Sequence, residues 1–248
     1  MKTKFNINKS IVFFAVLLVA TYIPIFMREE ILDAFVREDR IFENLSPIYL
    51  FVASVMFAIA FYRSPVKLSL KDPAWLKRLS FLGFALLFLL ATFEEISWGQ
   101  RILNIETNDL IKGINVQQEL NLHNLEFFQG EDAPLPLDFD QLAAIFSLGF
   151  GFLIPTACWL IRPIRQFLET KFPILPWQYG FLILVNYILQ KALISFMEKF
   201  PGFYLHPTMG VPQGVYETRE HNYALLLMIS AIFYIFLKLD ITGDKQEA

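Results

Sequence analysis

Two short stretches of this chain share one pattern, Glu119-Leu-Asn-Leu-His123-Asn124 and Glu217-Thr-Arg-Glu-His221-Asn222. On a helix, residues four apart stand on one face about 6 Å apart at Cβ, so each stretch is expected to aim a carboxylate and an imidazole at one centre. Helical bundles hold metal ions with inward-facing Glu and His drawn from separate helices in this way. Glu119, His123, Glu217 and His221 are therefore the expected metal ligands, with Glu126 continuing the first stripe. Such a set suits zinc with an open position, or a pair of iron or manganese ions, without choosing between them.

A third stretch, FEEISWGQR at 93–101, places Glu94 and Glu95 side by side immediately after an uncharged apolar run. Carboxylates at membrane depth are costly and usually face a cavity, where one can act as general acid and base. On a helix the two point about 100° apart, so both cannot face one site. Glu95 shares a face with Gly99 and is expected inward. Glu94 shares one with Trp98 and Arg101 and is expected to pair with Arg101. Gln100, Asn124 and Asn222 are expected to support the site by orienting its ligands, within an amide-rich neighbourhood that also holds Asn115, Gln117, Gln118 and Asn121. Ser97 has only Glu94 within its own helical turn, so a nucleophilic serine is not the expectation. His206, followed by Pro207 in a loop, ranks behind the other two histidines. The plainer account of these charges is an interfacial ion-pair network, and Glu220 is adequately explained as an acid near a helix start.

The elements that must position these groups are read from hydropathy. The chain has 248 residues, 55% of them hydrophobic, with 27 Phe and a mean hydropathy of +0.46. Soluble domains average roughly 45–50% apolar. Uncharged runs of about 18 residues can span a hydrocarbon core of about 30 Å. Spanning helices are expected near 10–27, 45–62, 79–98, 141–161, 172–190 and 217–238, the third and last borrowing charged flanking residues to reach across. The fold expectation is thus an all-α integral membrane protein, one polytopic domain over 1–248, with six transmembrane helices. TYIPIFMREE offers no small-x-small cleavage site, so the first run reads as a retained helix. Cys158 is the single cysteine, which leaves no disulfide framework.

Orientation follows from basic residues in short loops. With both termini inside, the inner segments 1–9, 63–78, 162–171 and 238–248 hold 13 of the 21 basic residues and 5 of the 24 acidic ones. The expected topology is N-in/C-in, with long extracytoplasmic segments, 94–140 and 191–222, capping a polar pocket. A helix is expected around INVQQELNLHNLEFF (114–128), and an interfacial amphipathic helix in REEILDAFVREDRIFENLSP (28–47). No basic patch points to nucleic acid. The expected partners are the lipid bilayer and a lipid substrate, and the expected location is the cell membrane, or the inner membrane of a Gram-negative source.

The EEISWGQR block followed by NVQQELNLHN resembles the signature of an uncharacterised family of multi-pass bacterial membrane proteins, E-E-x-S-W-G-Q-R preceding N-x-Q-x-E-x-N-L-H-N; that resemblance implies a family and no activity. A looser likeness is to alkaline-ceramidase-type membrane hydrolases, which gather zinc from histidines on separate helices. Here only His221 matches the histidine pair on their last helix, Glu217 standing in place of the other. The leading functional expectation is a metal-dependent membrane enzyme acting at the extracytoplasmic face on a lipid or lipid-like substrate. The rivals are a proton-coupled transporter using the same carboxylates and a non-catalytic scaffold.

Overall fold

The apolar runs fold as helices, and the last of them becomes the core. The computed structural model describes residues 7–36, 40–65, 74–116, 118–122, 124–128, 139–200 and 211–238. In chain order these form α1 (Ile7–Thr21), a 3-10 turn (Ile23–Phe26), α2 (Glu29–Val36), α3 (Ile41–Arg63) and α4 (Trp75–Glu95). The short α5 (Gln100–Leu103) and α6 (Asp109–Lys112) follow, then α7 (Phe139–Phe146), a π-helical segment (Ser147–Leu153), α8 (Ile154–Leu160), α9 (Arg162–Glu169), α10 (Trp177–Lys199) and α11 (Val211–Lys238).

Among the described residues, five helical stretches are long and apolar enough to cross a membrane: Lys9–Phe26, the stretch that includes α3 (Ile41–Arg63), Trp75–Glu95, Gln141–Leu160 and Trp177–Lys199. The protein is all-helical among its described residues apart from an isolated bridge, with apolar spans suited to a multi-span membrane bundle. Val12, Phe13 and Val16 of α1 point away from the bundle, as lipid-facing side chains do.

The helix bounds differ from the expected ones where prolines and packing intervene. α10 starts at Trp177 because Pro176 occupies its N-cap, and it continues to Lys199 through residues the hydropathy run had excluded. α4 gains Trp75–Arg78 at its start and stops at Glu95, short of the expected end at 98. α11 begins at Val211 and runs 28 residues, about 42 Å at 1.5 Å per residue. Pro212 at its second position lacks only an amide that would go unpaired there anyway.

α11 is enclosed by its neighbours. Val215, Leu226, Ile229, Ala231 and Ile235 are all buried along it. α3 and α4 run antiparallel beside it, Ser54 Oγ donating to Ala85 O (2.7 Å) and Phe57 packing on Phe84 and Phe88. α10 also runs antiparallel to α11, with the Tyr179 ring stacked on Phe233 at 4.8 Å. Phe42 at the start of α3 stacks on His221 near the start of α11, so these two starts lie at the same end of the bundle as the end of α4. At the opposite end Lys77 Nζ donates to Glu169 O (2.7 Å), joining the start of α4 to α9.

α2 is helical as expected of the amphipathic stretch, but it is tied to the bundle: Leu32 and Val36 are buried, and a Cβ at Gly214 of α11 would touch both at 3.5 Å. The π segment packs backbone to backbone on α10. A Cβ at Gly180 would lie 2.1 Å from Gly151 O, so glycine is required at that crossing.

Candidate functional site

The expected helix over 114–128 is absent. After α6 the chain forms a tight, largely irregular fold-back, with an isolated antiparallel bridge between Asn115 and Leu125 and a 3-10 turn at Glu126–Phe128. Val116 N donates to Asn124 O (2.8 Å) and Glu126 N to Ile114 O (2.9 Å). The cause lies in the asparagines, whose side chains satisfy backbone groups locally and so compete with a helix. Asn115 Oδ1 accepts from Glu119 N (3.1 Å), while Asn115 Nδ2 donates to Asn121 O (2.9 Å). Glu119 therefore stands on a loop, and the helical face proposed for Glu119 and His123 does not form; His123 itself lies outside the described residues.

This loop docks on the end of α4. Glu94, 5% exposed, is the buried member of the carboxylate pair, and Glu95 is half-buried, the reverse of the expected burial. Glu94 Oε1 accepts from Trp98 Nε1 (2.7 Å) and Oε2 from Leu122 N (2.6 Å). The side chain of Arg101, its expected partner, lies outside the described residues. Gln100 keeps the supporting role expected of it, accepting from Leu120 N (2.7 Å) and donating to Thr107 Oγ1. Asn124, also buried, supports through its backbone carbonyl.

α4 stops in an unusual turn. Ser97, Trp98 and Gly99 have φ of 46°, 56° and 79°, three consecutive residues in the left-handed region. For Ser and Trp that region costs roughly 1–2 kcal/mol each. The turn is held by the indole bond to Glu94, by Trp98 stacked on Phe93 at 5.5 Å, and by Ser97 itself. Ser97, 1% exposed, donates its hydroxyl proton to Glu119 Oε2. Asn121 Nδ2 donates to Ser97 Oγ (3.1 Å) and to Glu119 Oε2 (2.9 Å). A serine, a carboxylate and an amide thus meet in a buried turn. Ser97 and Asn121 carry parts of this site that sequence reasoning did not assign, because the acid that partners Ser97 is 22 residues away.

The second E-x-x-x-H-N stretch is helical, within α11. Glu217 is half-buried and accepts from Gln213 Nε2 (3.3 Å). His221, 3% exposed, stacks on Phe42 (4.2 Å between centroids), tilts against Tyr49 (5.3 Å) and hydrogen-bonds the Phe42 backbone. Its Nδ1 has no hydrogen-bond partner among the described residues.

On another face of α11, polar side chains knit three helices together. Asn222 Nδ2 donates to Thr21 Oγ1 (2.8 Å) and to Asn186 Oδ1 (3.1 Å). Tyr22 OH donates to the same Asn186 Oδ1 (2.7 Å), and Asn186 Nδ2 donates to Arg219 O (3.0 Å). The Arg219 guanidinium is buried, paired with Glu220 (2.7 Å) and set over the rings of Tyr216 and Tyr223. Gln190, wholly buried one turn beyond Asn186, has neither amide atom hydrogen-bonded among the described residues.

Among the described residues no three of His, Cys, Asp and Glu gather closely enough to hold a metal ion. No protein-family model, curated protein or solved structure matches the chain.

Proposed function

We propose that this protein is a membrane enzyme working at the extracytoplasmic end of its bundle on a lipid or lipid-like substrate. The observation that supports this reading best is the Ser97–Glu119–Asn121 contact, built into a turn of three left-handed residues at the end of an apolar helix. Strained backbone that its surroundings hold in place is found preferentially at functional sites. Trp98 and Leu122, 46% and 51% exposed, flank the buried serine with apolar surface that an acyl chain can meet. The distribution of basic residues supports an extracytoplasmic position for this end.

The metal-dependent form of this reading adds a divalent ion held by Glu119, His123, Glu217 and His221. Its support is the helical placement of Glu217 and His221 one turn apart on α11. Against it stand the protein contacts that already engage Glu119 and His221. A carrier reading draws instead on the buried polar groups between α10 and α11, where Gln190 and the Tyr223 hydroxyl lack hydrogen-bond partners among the described residues.

The test is untargeted mass spectrometry of bacterial lipid extracts incubated in vesicles with purified full-length protein, alongside elemental analysis of the same preparation. A lipid consumed by the wild type and spared by Glu119→Gln supports the enzyme, and stoichiometric zinc, iron or manganese supports its metal-dependent form. An unchanged lipid profile contradicts the enzyme reading.

A further inference from the structure

The geometry points to Ser97 as the nucleophile of an acyl-ester hydrolase, with Glu119 as its general base; this rests on the enzyme reading above and names its chemistry. A serine hydroxyl is a weak nucleophile until a positioned acceptor takes its proton. Ser97 already donates to Glu119 Oε2, and Asn121 Nδ2 fixes both partners by donating to each. Asn121 is held in turn by Asn115, so the carboxylate and amide are oriented by groups outside the reacting set. The left-handed turn at 97–99 sets Ser97 off the axis of α4, away from the helical ladder that would otherwise direct its side chain.

The steps balance without any further reactant than water. Ser97 Oγ adds to the carbonyl carbon of the ester while its proton passes to Glu119. The tetrahedral adduct collapses by breaking the bond to the alkoxide oxygen, which takes the proton from Glu119 and departs as an alcohol, leaving an acyl-serine. Water then adds to the acyl carbon, again giving its proton to Glu119. Collapse of the second adduct returns that proton to Ser97 Oγ and releases the carboxylic acid. A carboxylate is a weaker base than the imidazole usual in this role, which favours an ester over an amide as substrate. Because Ser97 is 1% exposed, the ester must reach it by displacement of the half-exposed Trp98 and Leu122 side chains that flank it, with Glu119 and Asn121 kept in place on the serine.

The probe is an alkyl fluorophosphonate, which phosphonylates activated serines, applied to the purified full-length protein in lipid nanodiscs and mapped by peptide mass spectrometry. The expected result is a phosphonyl adduct on Ser97, reduced at least tenfold in Glu119→Gln and absent at position 97 in Ser97→Ala. An unlabelled Ser97 in the wild type overturns the proposal whatever the variants do, as does labelling that Glu119→Gln leaves unchanged. Lipid turnover that persists in a folded Ser97→Ala protein would overturn the nucleophile while leaving the enzyme reading intact. Absence of turnover by the wild type would count against the enzyme reading itself.

Discussion

Removing the Glu94 carboxylate should release the loop that carries Glu119. The carboxylate accepts from Trp98 Nε1 at 2.7 Å and from Leu122 N at 2.6 Å. Hydrogen bonds to a charged group contribute about 1.5–3 kcal/mol each. Trp98 and Leu122 are about half exposed, so water replaces part of what is lost, and Glu94→Ala should cost about 2–4 kcal/mol locally. Only the Leu122 bond crosses to the 118–122 turn, so about 1.5–3 kcal/mol bears on its opening, which at about 1.4 kcal/mol per tenfold should become roughly 10- to 150-fold more frequent. Hydrogen exchange in detergent reads this directly at the amides of Leu120 and Leu122. Glu95→Gln, at a half-buried position, should change the same amides by less than about 0.5 kcal/mol. Unaltered exchange in Glu94→Ala, or equal acceleration in both variants, would refute the view that Glu94 pins the loop.

The polar seam gives a second expectation: Asn186→Ala removes bonds to Tyr22, Asn222 and Arg219, and at about 0.6 kcal/mol per interhelical bond should cost about 2 kcal/mol in thermal unfolding. Gln190→Leu should be neutral or raise the melting temperature, because it deletes a buried amide whose two polar atoms lack partners among the described residues; a marked loss of stability would mean that a partner satisfies it. Gly180→Ala should destabilise by about 1–3 kcal/mol through its clash with the Gly151 backbone, whereas Gly83→Ala, with open space around the new methyl, should be neutral or stabilising on the same assay. For topology, impermeant thiol labelling from outside, in a variant lacking Cys158, should modify Asp132→Cys and spare Ser69→Cys; the opposite pattern would reverse the orientation.

Hydropathy located the long helices because an apolar run of spanning length has few other stable states. It misplaced their ends where local chemistry decides: Pro176 sets the start of α10, and α11 begins at Val211, six residues before Glu217, with Gly214 and Val215 buried in its first turns. The 217–221 stretch was legible from its i, i+4 spacing because it does lie within a helix. The 119–123 stretch was not, since identical i, i+4 spacing carries no information once asparagine side chains capture the backbone. The burial of Glu94 depends on a loop amide 28 residues away, and the partner of Ser97 on an acid 22 residues away. Neither follows from helical periodicity. The amide-rich composition of 115–124 was the available signal, and it pointed to the neighbourhood without giving the pairings.

If the groups gathered at the end of α4 perform a reaction on lipid, turnover must depend on the Glu119 carboxylate. The most direct test is the turnover rate of an acyl-ester lipid by vesicle-reconstituted wild type, Glu119→Gln and Glu95→Gln, all first shown to be folded. A loss of about 100-fold or more is expected in Glu119→Gln, in line with removal of a general base, and near wild-type rates in Glu95→Gln. Equal turnover by wild type and Glu119→Gln, or none by any of the three, would contradict this reading.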